Sequence, residues 1–242
     1  MNKSLNNSPR TIIALDFETE EELFDLLDQF QEPVYVKVGM ELFYGNGPAV
    51  ISKIKAKGHQ IFVDLKLHDI PHTVKQGMKK LAKLNVDMVN VHCGGGVQMM
   101  KAALQGLEEA SETGKRPLCI GVTQLTSTSQ EMMNDELLIP GRVDDVALQY
   151  ARLAQESGLD GVVCSVHESR RIHEVCGAEF LTVTPGIRLS GDSADDQKRI
   201  ATPEEAVKEQ CDYIVVGRSI TTSPNPVETY KQIEKVMEES HA

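Results

Sequence analysis

The sequence predicts a (β/α)8 barrel in a single domain, and three features carry that expectation. Eight short apolar runs rich in Val and Ile recur along the chain, segments with helical spacing separate them, and no composition change or low-complexity tract marks a boundary. Apolar runs of this kind suit parallel strands covered on both faces. Eight strand–helix units in 242 residues match a barrel of ~250 residues. A doubly wound open sheet is the competing architecture, but no Gly-x-Gly-x-x-Gly turn follows the first run.

The runs are Thr11–Phe17, Val34–Gly39, Gln60–Leu67, Met88–His92, Leu118–Leu125, Gly161–Val166, Phe180–Thr184 and Tyr213–Gly217. Residues 1–10 are polar and read as a leader, which leaves residues 11–242 to the barrel. After the first run, Thr19 and Glu22 have capping-box spacing, and Leu23, Leu26, Leu27 and Phe30 form an apolar helical stripe. Val143, Val146, Ala147, Tyr150, Ala151 and Ala154 make a second stripe, stopped by Gly158. Pro203 stands at a helix start, two residues ahead of Glu205.

Ionised residues stand at or inside the ends of the first three runs, and barrel chemistry sits at the C-terminal ends of strands. Asp16 lies in Ala14-Leu15-Asp16, Lys37 in Tyr35-Val36-Lys37-Val38-Gly39, and Asp64 and Lys66 in Val63-Asp64-Leu65-Lys66-Leu67. Period-two alternation puts Asp64 and Lys66 on one face and Val63, Leu65 and Leu67 on the other; Asp16 shares its face with Ile12 and Ala14. Buried charges are costly unless paired, and alternating Asp and Lys supply their own partners. For one such pair a solvated salt-bridge ladder at the rim is the simpler reading; four groups on three adjacent strands point to a site. Asp69 either joins that site or caps the helix that Pro71 begins.

The loops after the seventh and eighth strands of such barrels frequently hold phosphate. Here they read Thr184-Pro185-Gly186-Ile187-Arg188 and Gly217-Arg218-Ser219. Glycine lets backbone N–H groups approach an anion, and arginine adds a fixed fork of donors. The polar stretch Ser190–Gln197 is expected to act as a mobile lid.

The segment Asp64-Leu65-Lys66-Leu67-His68-Asp69-Ile70 resembles the DxKxxDI motif of orotidine 5′-phosphate decarboxylases. Leu15-Asp16-Phe17, Lys37-Val38-Gly39, Gln124-Leu125-Thr126-Ser127, Pro185-Gly186-Ile187-Arg188 and Gly217-Arg218 match in family order, so the likeness runs from about Thr11 to the final helix. The resemblance implies conversion of orotidine 5′-monophosphate to UMP and carbon dioxide without a cofactor or metal. It implies that Lys66 protonates C6, Asp64 lies by the departing carboxylate, and Lys37 and Asp16 hold the ribose. By the same resemblance Asp69 and Thr73 reach the site of a second subunit in a homodimer. Thr126 would touch the pyrimidine, and Gln197, Gly217, Arg218 and Arg188 the phosphate. Pro185 and the rest of the motif segment, Leu65, Leu67, His68, Ile70, Pro71 and His72, would border the substrate. His68 and His92 have no catalytic role in this scheme.

Composition narrows the alternatives. A net charge of −11 argues against a broad grip on nucleic acid or anionic lipid. No apolar run is long enough to span a membrane. The five cysteines form no Cys-x-x-Cys pair and suggest a reducing cytoplasm. Three rivals share the barrel: a magnesium-dependent keto-sugar-phosphate decarboxylase or aldolase with a similar Asp-x-Lys-x-x-Asp pattern, a metal-dependent epimerase using His68 or His92, and a catalytically silent nucleotide binder. The Leu-His-Asp-Ile-Pro and Gln-Leu-Thr-Ser runs favour the pyrimidine enzyme.

Overall fold

A computed structural model of the chain describes residues 9–111, 115–189 and 200–239. Its eight strands are β1 (Thr11–Ala14), β2 (Tyr35–Gly39), β3 (Gln60–Leu67), β4 (Met88–His92), β5 (Leu118–Val122), β6 (Gly161–Val163), β7 (Leu181–Thr184) and β8 (Tyr213–Val216). All pair in parallel in sequence order, and β1 closes on β8 through Thr11↔Ile214, Ile12↔Val215 and Ile13↔Val216. The expected (β/α)8 barrel is therefore the observed fold.

The helices on the outside are α1 (Glu20–Leu27), α2 (Met40–Asn46), α3 (Ala49–Ala56), α4 (Pro71–Ala82) and α5 (Gly96–Ala110) in the first half. In the second half come α6 (Val143–Glu156), α7 (Val166–Cys176), α8 (Pro203–Lys208), the single turn α9 (Arg218–Thr221) and α10 (Pro226–Glu239). Thr19 caps α1 by accepting from the Glu22 N–H, but the Glu22 carboxylate accepts from the Thr19 hydroxyl instead of the cap's N–H. The reciprocal box forms at Thr202 and Glu205, with Pro203 in the first turn of α8 as expected. The stripe on α6 is buried at Val143, Ala147, Ala151 and Ala154, and Gly158 follows at φ +87°, a left-handed turn that suits glycine.

Period-two alternation divides the core into two layers. Ile12, Tyr35, Phe62, Met88, Leu181 and Tyr213 fill the barrel interior, where the rings of Tyr35 and Tyr213 meet edge to face. The intervening Ile13, Val36, Val63, Val89 and Ile214 pack outward under the helices. Three aspartates tie the strand starts. Asp87 accepts from the Ile61 N–H at 2.7 Å, Asp160 from Cys119 at 2.8 Å and Asp212 from Thr182 at 2.8 Å. Each lies just ahead of an even-numbered strand and reaches the strand before it, and each has a basic partner: Lys55, Arg116 and His173. At the start of β1, both oxygens of Glu234 on α10 accept the N–H groups of Arg10 and Thr11.

The first, fifth and sixth strands stop short of the apolar runs that announced them, at Ala14, Val122 and Val163. Leu15, Gln124 and Cys164 remain buried past those ends. Of residues 1–10, only Pro9 and Arg10 are among those described. The five cysteines are free and buried, and burial pushes the Cys93 thiol up to about 12. No helix among the described residues is long and apolar enough to cross a membrane.

Candidate active site

The charged residues reach the mouth through the register of β1, β2 and β3. Lys37 pairs by Cα with Ala14 on one side and Phe62 on the other, both residues of the barrel interior. Gly39, two residues on, also faces inward and pairs with Asp64. A Cβ at Gly39 would stand 3.3 Å from Lys37 Nζ and 3.6 Å from Asp16 Oδ1, so its missing side chain leaves room for that ion pair.

Between β3 and β4 the ladder is irregular. Phe62↔Met88 and Val63↔Val89 are followed directly by Leu67↔Val91. Asp64, Leu65 and Lys66 on β3 thus stand against Asn90 alone, as in a β-bulge. Lys66 takes φ +49°, a left-handed conformation that an L-residue with a long side chain adopts at some cost. Asn90 is 1% exposed and supplies what the ladder lacks. Its Oδ1 accepts the Lys66 N–H at 2.8 Å, and its Nδ2 donates to Asp64 Oδ1 at 2.7 Å.

Asp64 is the hub of the cluster. Lys66 Nζ lies 2.7 Å from Asp64 Oδ1, Lys37 Nζ 3.6 Å from Asp64 Oδ2, and Lys37 Nζ 3.4 Å from Asp16 Oδ1. Burial alone would raise the Asp64 pKa. Lys37 and Lys66 outweigh it, with hydrogen bonds from Lys66 and Asn90, and hold the carboxyl below its ordinary range. The result is an Asp–Lys–Asp–Lys chain converging on one point. His92 and His68 lie beside it with ring centroids 5.6 Å apart. Burial, then His68 and Lys66, lower the His92 pKa and favour the neutral ring.

A cavity of about 490 Å³ opens over this cluster, lined by Asp16, Lys37, Asp64, Lys66, Thr126, Pro185, Arg188, Gly217 and Arg218 among the residues named from the sequence. Gln124 and Gly186 also line it. Gly186 has φ +89°, which lets the backbone after β7 turn toward the mouth. Arg188 is buried, donating through Nη1 to the Ile187 carbonyl, and a short parallel bridge of Ile187 with Ala201 fixes the loop. Arg218 opens the single turn α9 after β8. The lining thus combines lysines and aspartates from the ends of β1, β2 and β3 with arginines and glycines that follow β7 and β8.

Other residues named from the sequence fall elsewhere. Leu65 and Leu67 pack into the outer layer beneath the helices, because the alternation that turns Asp64 and Lys66 inward turns them away. They do not line the cavity. His68, Asp69, Ile70, Pro71, His72 and Thr73 are exposed on the segment leaving β3 and do not line it either. Asp69 is not the cap of α4: that position is Ile70, whose N–H donates to Asp69 Oδ1 at 2.6 Å. Gln197 and the Ser190–Gln197 stretch lie outside the described residues. Sequence reasoning passed over Asn90, although a polar residue inside the run Met88-Val89-Asn90-Val91-His92 was a signal, since a buried amide needs partners. Among the described residues no three His, Cys, Asp or Glu side chains gather as metal ligands would.

Barrel and cluster together define a (β/α)8-barrel enzyme with a preformed array of opposite charges at its mouth, the candidate for its site. Residues 9–233 match the family described as Orotidine 5′-phosphate decarboxylase / HUMPS family, and the chain belongs to that family. The orotidine 5′-phosphate decarboxylase of Bacillus anthracis is 56% identical over 233 residues, covering 96% of this chain and 98% of that protein. The enzyme of the same name from Bacillus mycoides strain KBAB4 is equally similar. The crystal structure of orotidine 5′-phosphate decarboxylase from Lactobacillus acidophilus superimposes with a TM-score of 0.86 at 42% identity, over 95% of this chain and 99% of that one. An uncharacterized conserved protein from Geobacillus kaustophilus does so with a TM-score of 0.85 at 47% identity, over 94% and 99%.

Proposed function

We propose that this chain decarboxylates orotidine 5′-monophosphate to UMP and carbon dioxide, the last step of de novo UMP synthesis. The reading rests above all on one observation: Lys66 Nζ, 2.7 Å from Asp64 Oδ1, belongs to the lining of a cavity that Arg188 and Arg218 also line. Such a cavity suits a substrate with a phosphate at one end and an anionic reacting carbon at the other.

Cleavage of the bond between C6 and the carboxylate leaves its electron pair in an sp² orbital on C6, where the ring π-system cannot take it up. Decarboxylases commonly use a cofactor as electron sink. In this proposal the Lys66 ammonium does that work, held in place before the charge appears. Carbon dioxide leaves, a proton passes from Lys66 to C6, and the lysine regains a proton from solvent. Asp64, ionised and next to the departing carboxylate, orients Lys66 and adds like-charge crowding. Lys37 and Asp16 take the ribose hydroxyls, Thr126 the pyrimidine, and Arg188, Gly217 and Arg218 the phosphate. Binding at the phosphate accelerates the remote step when it helps to bring the ring against Lys66.

The exposed segment from His68 to Thr73, with Ile70 65% exposed, supports pairing with a second copy in which Asp69 and Thr73 border the partner's site. Five buried free thiols suit a reducing cytoplasm. Loss of the orotate chromophore, followed by absorbance with excess chelator present, tests the reading. Full turnover supports a decarboxylase that needs no metal. Activity lost in chelator and restored by magnesium points to the keto-sugar-phosphate relatives, and tight UMP binding without turnover to a silent binder.

A further inference from the structure

We infer that Asn90 is a positioning residue for the decarboxylation, acting through both Asp64 and Lys66; this rests on the function proposed above. The geometry carries it. The irregularity between Val63↔Val89 and Leu67↔Val91 leaves the Lys66 N–H without a place in the ladder, and Asn90 Oδ1 accepts it at 2.8 Å. The other end of the same amide donates to Asp64 Oδ1 at 2.7 Å, the oxygen that also holds Lys66 Nζ at 2.7 Å. One orientation of the amide meets both demands, since the N–H needs an acceptor and the carboxylate a donor. Asn90 is 1% exposed, so water does not readily replace it.

The consequence is a closed ring of contacts: Lys66 backbone to Asn90, Asn90 to Asp64, Asp64 to Lys66 side chain. It fixes the left-handed Lys66 at φ +49° at both its ends. Lys37 restrains the other oxygen of Asp64 at 3.6 Å, so the carboxylate has no free rotation left. Without Asn90, Lys66 loses the acceptor that holds its strained backbone and Asp64 loses its neutral donor. Displacing a reacting group by about 1 Å costs about 100-fold in rate. The phosphate wall, at Arg188, Gly217 and Arg218, is untouched.

The test compares Asn90→Ala and Asn90→Asp with the unaltered enzyme, measuring kcat and KM for orotidine 5′-monophosphate across pH with a thermal melt of each. Asn90→Ala is expected to lower kcat by about 100-fold with little change in KM. Asn90→Asp keeps the acceptor for the Lys66 N–H, but its second oxygen donates to Asp64 only when protonated. Two adjacent carboxyls raise the pKa at which one of them takes a proton. The ratio of Asn90→Asp kcat to that of the unaltered enzyme should therefore rise as pH falls. Contributions from Asp16, Lys37, His68 and His92, present in both proteins, largely cancel in that ratio. A folded Asn90→Ala with unchanged kcat overturns the inference, as does an Asn90→Asp ratio independent of pH. If Asn90→Ala does not fold, the Asn90→Asp ratio decides alone. An inactive parent enzyme counts against the decarboxylase reading instead, and an active parent with unaffected variants against Asn90.

Discussion

Lys66→Ala removes the ammonium that lies 2.7 Å from Asp64 and lines the cavity beside it. Its catalytic weight follows from Coulomb's law. An ammonium and a carbanion in contact at ~3.3 Å, in an effective dielectric of ~20, attract by about 5 kcal/mol. Each ~1.36 kcal/mol is a factor of ten in rate, so electrostatics alone puts the loss in kcat at about 10³ to 10⁴. On the proposed mechanism Lys66 is also the proton donor, and its loss adds to that, since general acid catalysis contributes ~10² to 10⁴ of its own. The fold should survive, because Asp64 keeps Asn90 at 2.7 Å and Lys37 at 3.6 Å and is not left as an unpaired buried charge. The assay is single-turnover loss of orotate absorbance at high enzyme concentration, with UMP affinity and a melt as controls. Turnover within about tenfold of the parent in a folded variant would refute the reasoning, since the sum above leaves no route to so small an effect.

Three further outcomes follow from the same geometry. Lys66→Gly should be as inactive as Lys66→Ala yet more stable by about 1 kcal/mol in urea denaturation, because glycine adopts φ +49° without the strain alanine meets there. The lowered pKa of Asp64 means that its ionised form stabilises the fold fully above the unfolded carboxyl value, about 3.9, and that this contribution is lost as pH falls through the lower folded value. Asp64→Asn should remove that dependence, so unfolding midpoints of parent and variant should converge as acid is added and differ most near neutrality. Arg218→Ala should raise KM for the nucleotide by about 10-fold or more, with little effect on a phosphate-free nucleoside; equal effects on both substrates would move the phosphate away from that wall.

Much of this was legible in the sequence, for reasons specific to each element. β3 and β4 have the bounds read from their apolar runs: β4 is buried up to its terminal His92, and β3 gives way directly to the exposed polar residues His68 and Asp69. The first, fifth and sixth runs overshoot because hydrophobicity reports burial: Leu15 and Cys164 stay buried past the last strand residue, each still donating its N–H to the neighbouring strand, at Lys37 and Val183. Alternation places Asp64 and Lys66 at the cavity and by the same rule sends Leu65 and Leu67 outward, so the motif spans residues that do not line it. The bulge was not legible: nothing in Asp64-Leu65-Lys66 favours a left-handed residue, and the cause lies in Asn90 across the ladder, 24 residues away. A distant partner of this kind is invisible to local propensity.

The bulge explains why the charges converge at all. In a regular strand, residues two apart stand ~6.6 Å apart along the chain with side chains parallel, so Asp64 and Lys66 would point into the mouth side by side. Turning Lys66 into the left-handed region brings its Nζ back onto Asp64, while Lys37 approaches from the neighbouring strand. That arrangement costs about 1–3 kcal/mol in backbone strain and more in desolvation. The opposite end of the barrel is where such a cost can be offset, because strand starts need no freedom for chemistry. There Asp87, Asp160 and Asp212 each accept the N–H of a strand's second residue and hold a basic partner, and Glu234 holds two N–H groups at the entry to β1. Strain at the mouth is tolerated because the base over-determines where the strands begin.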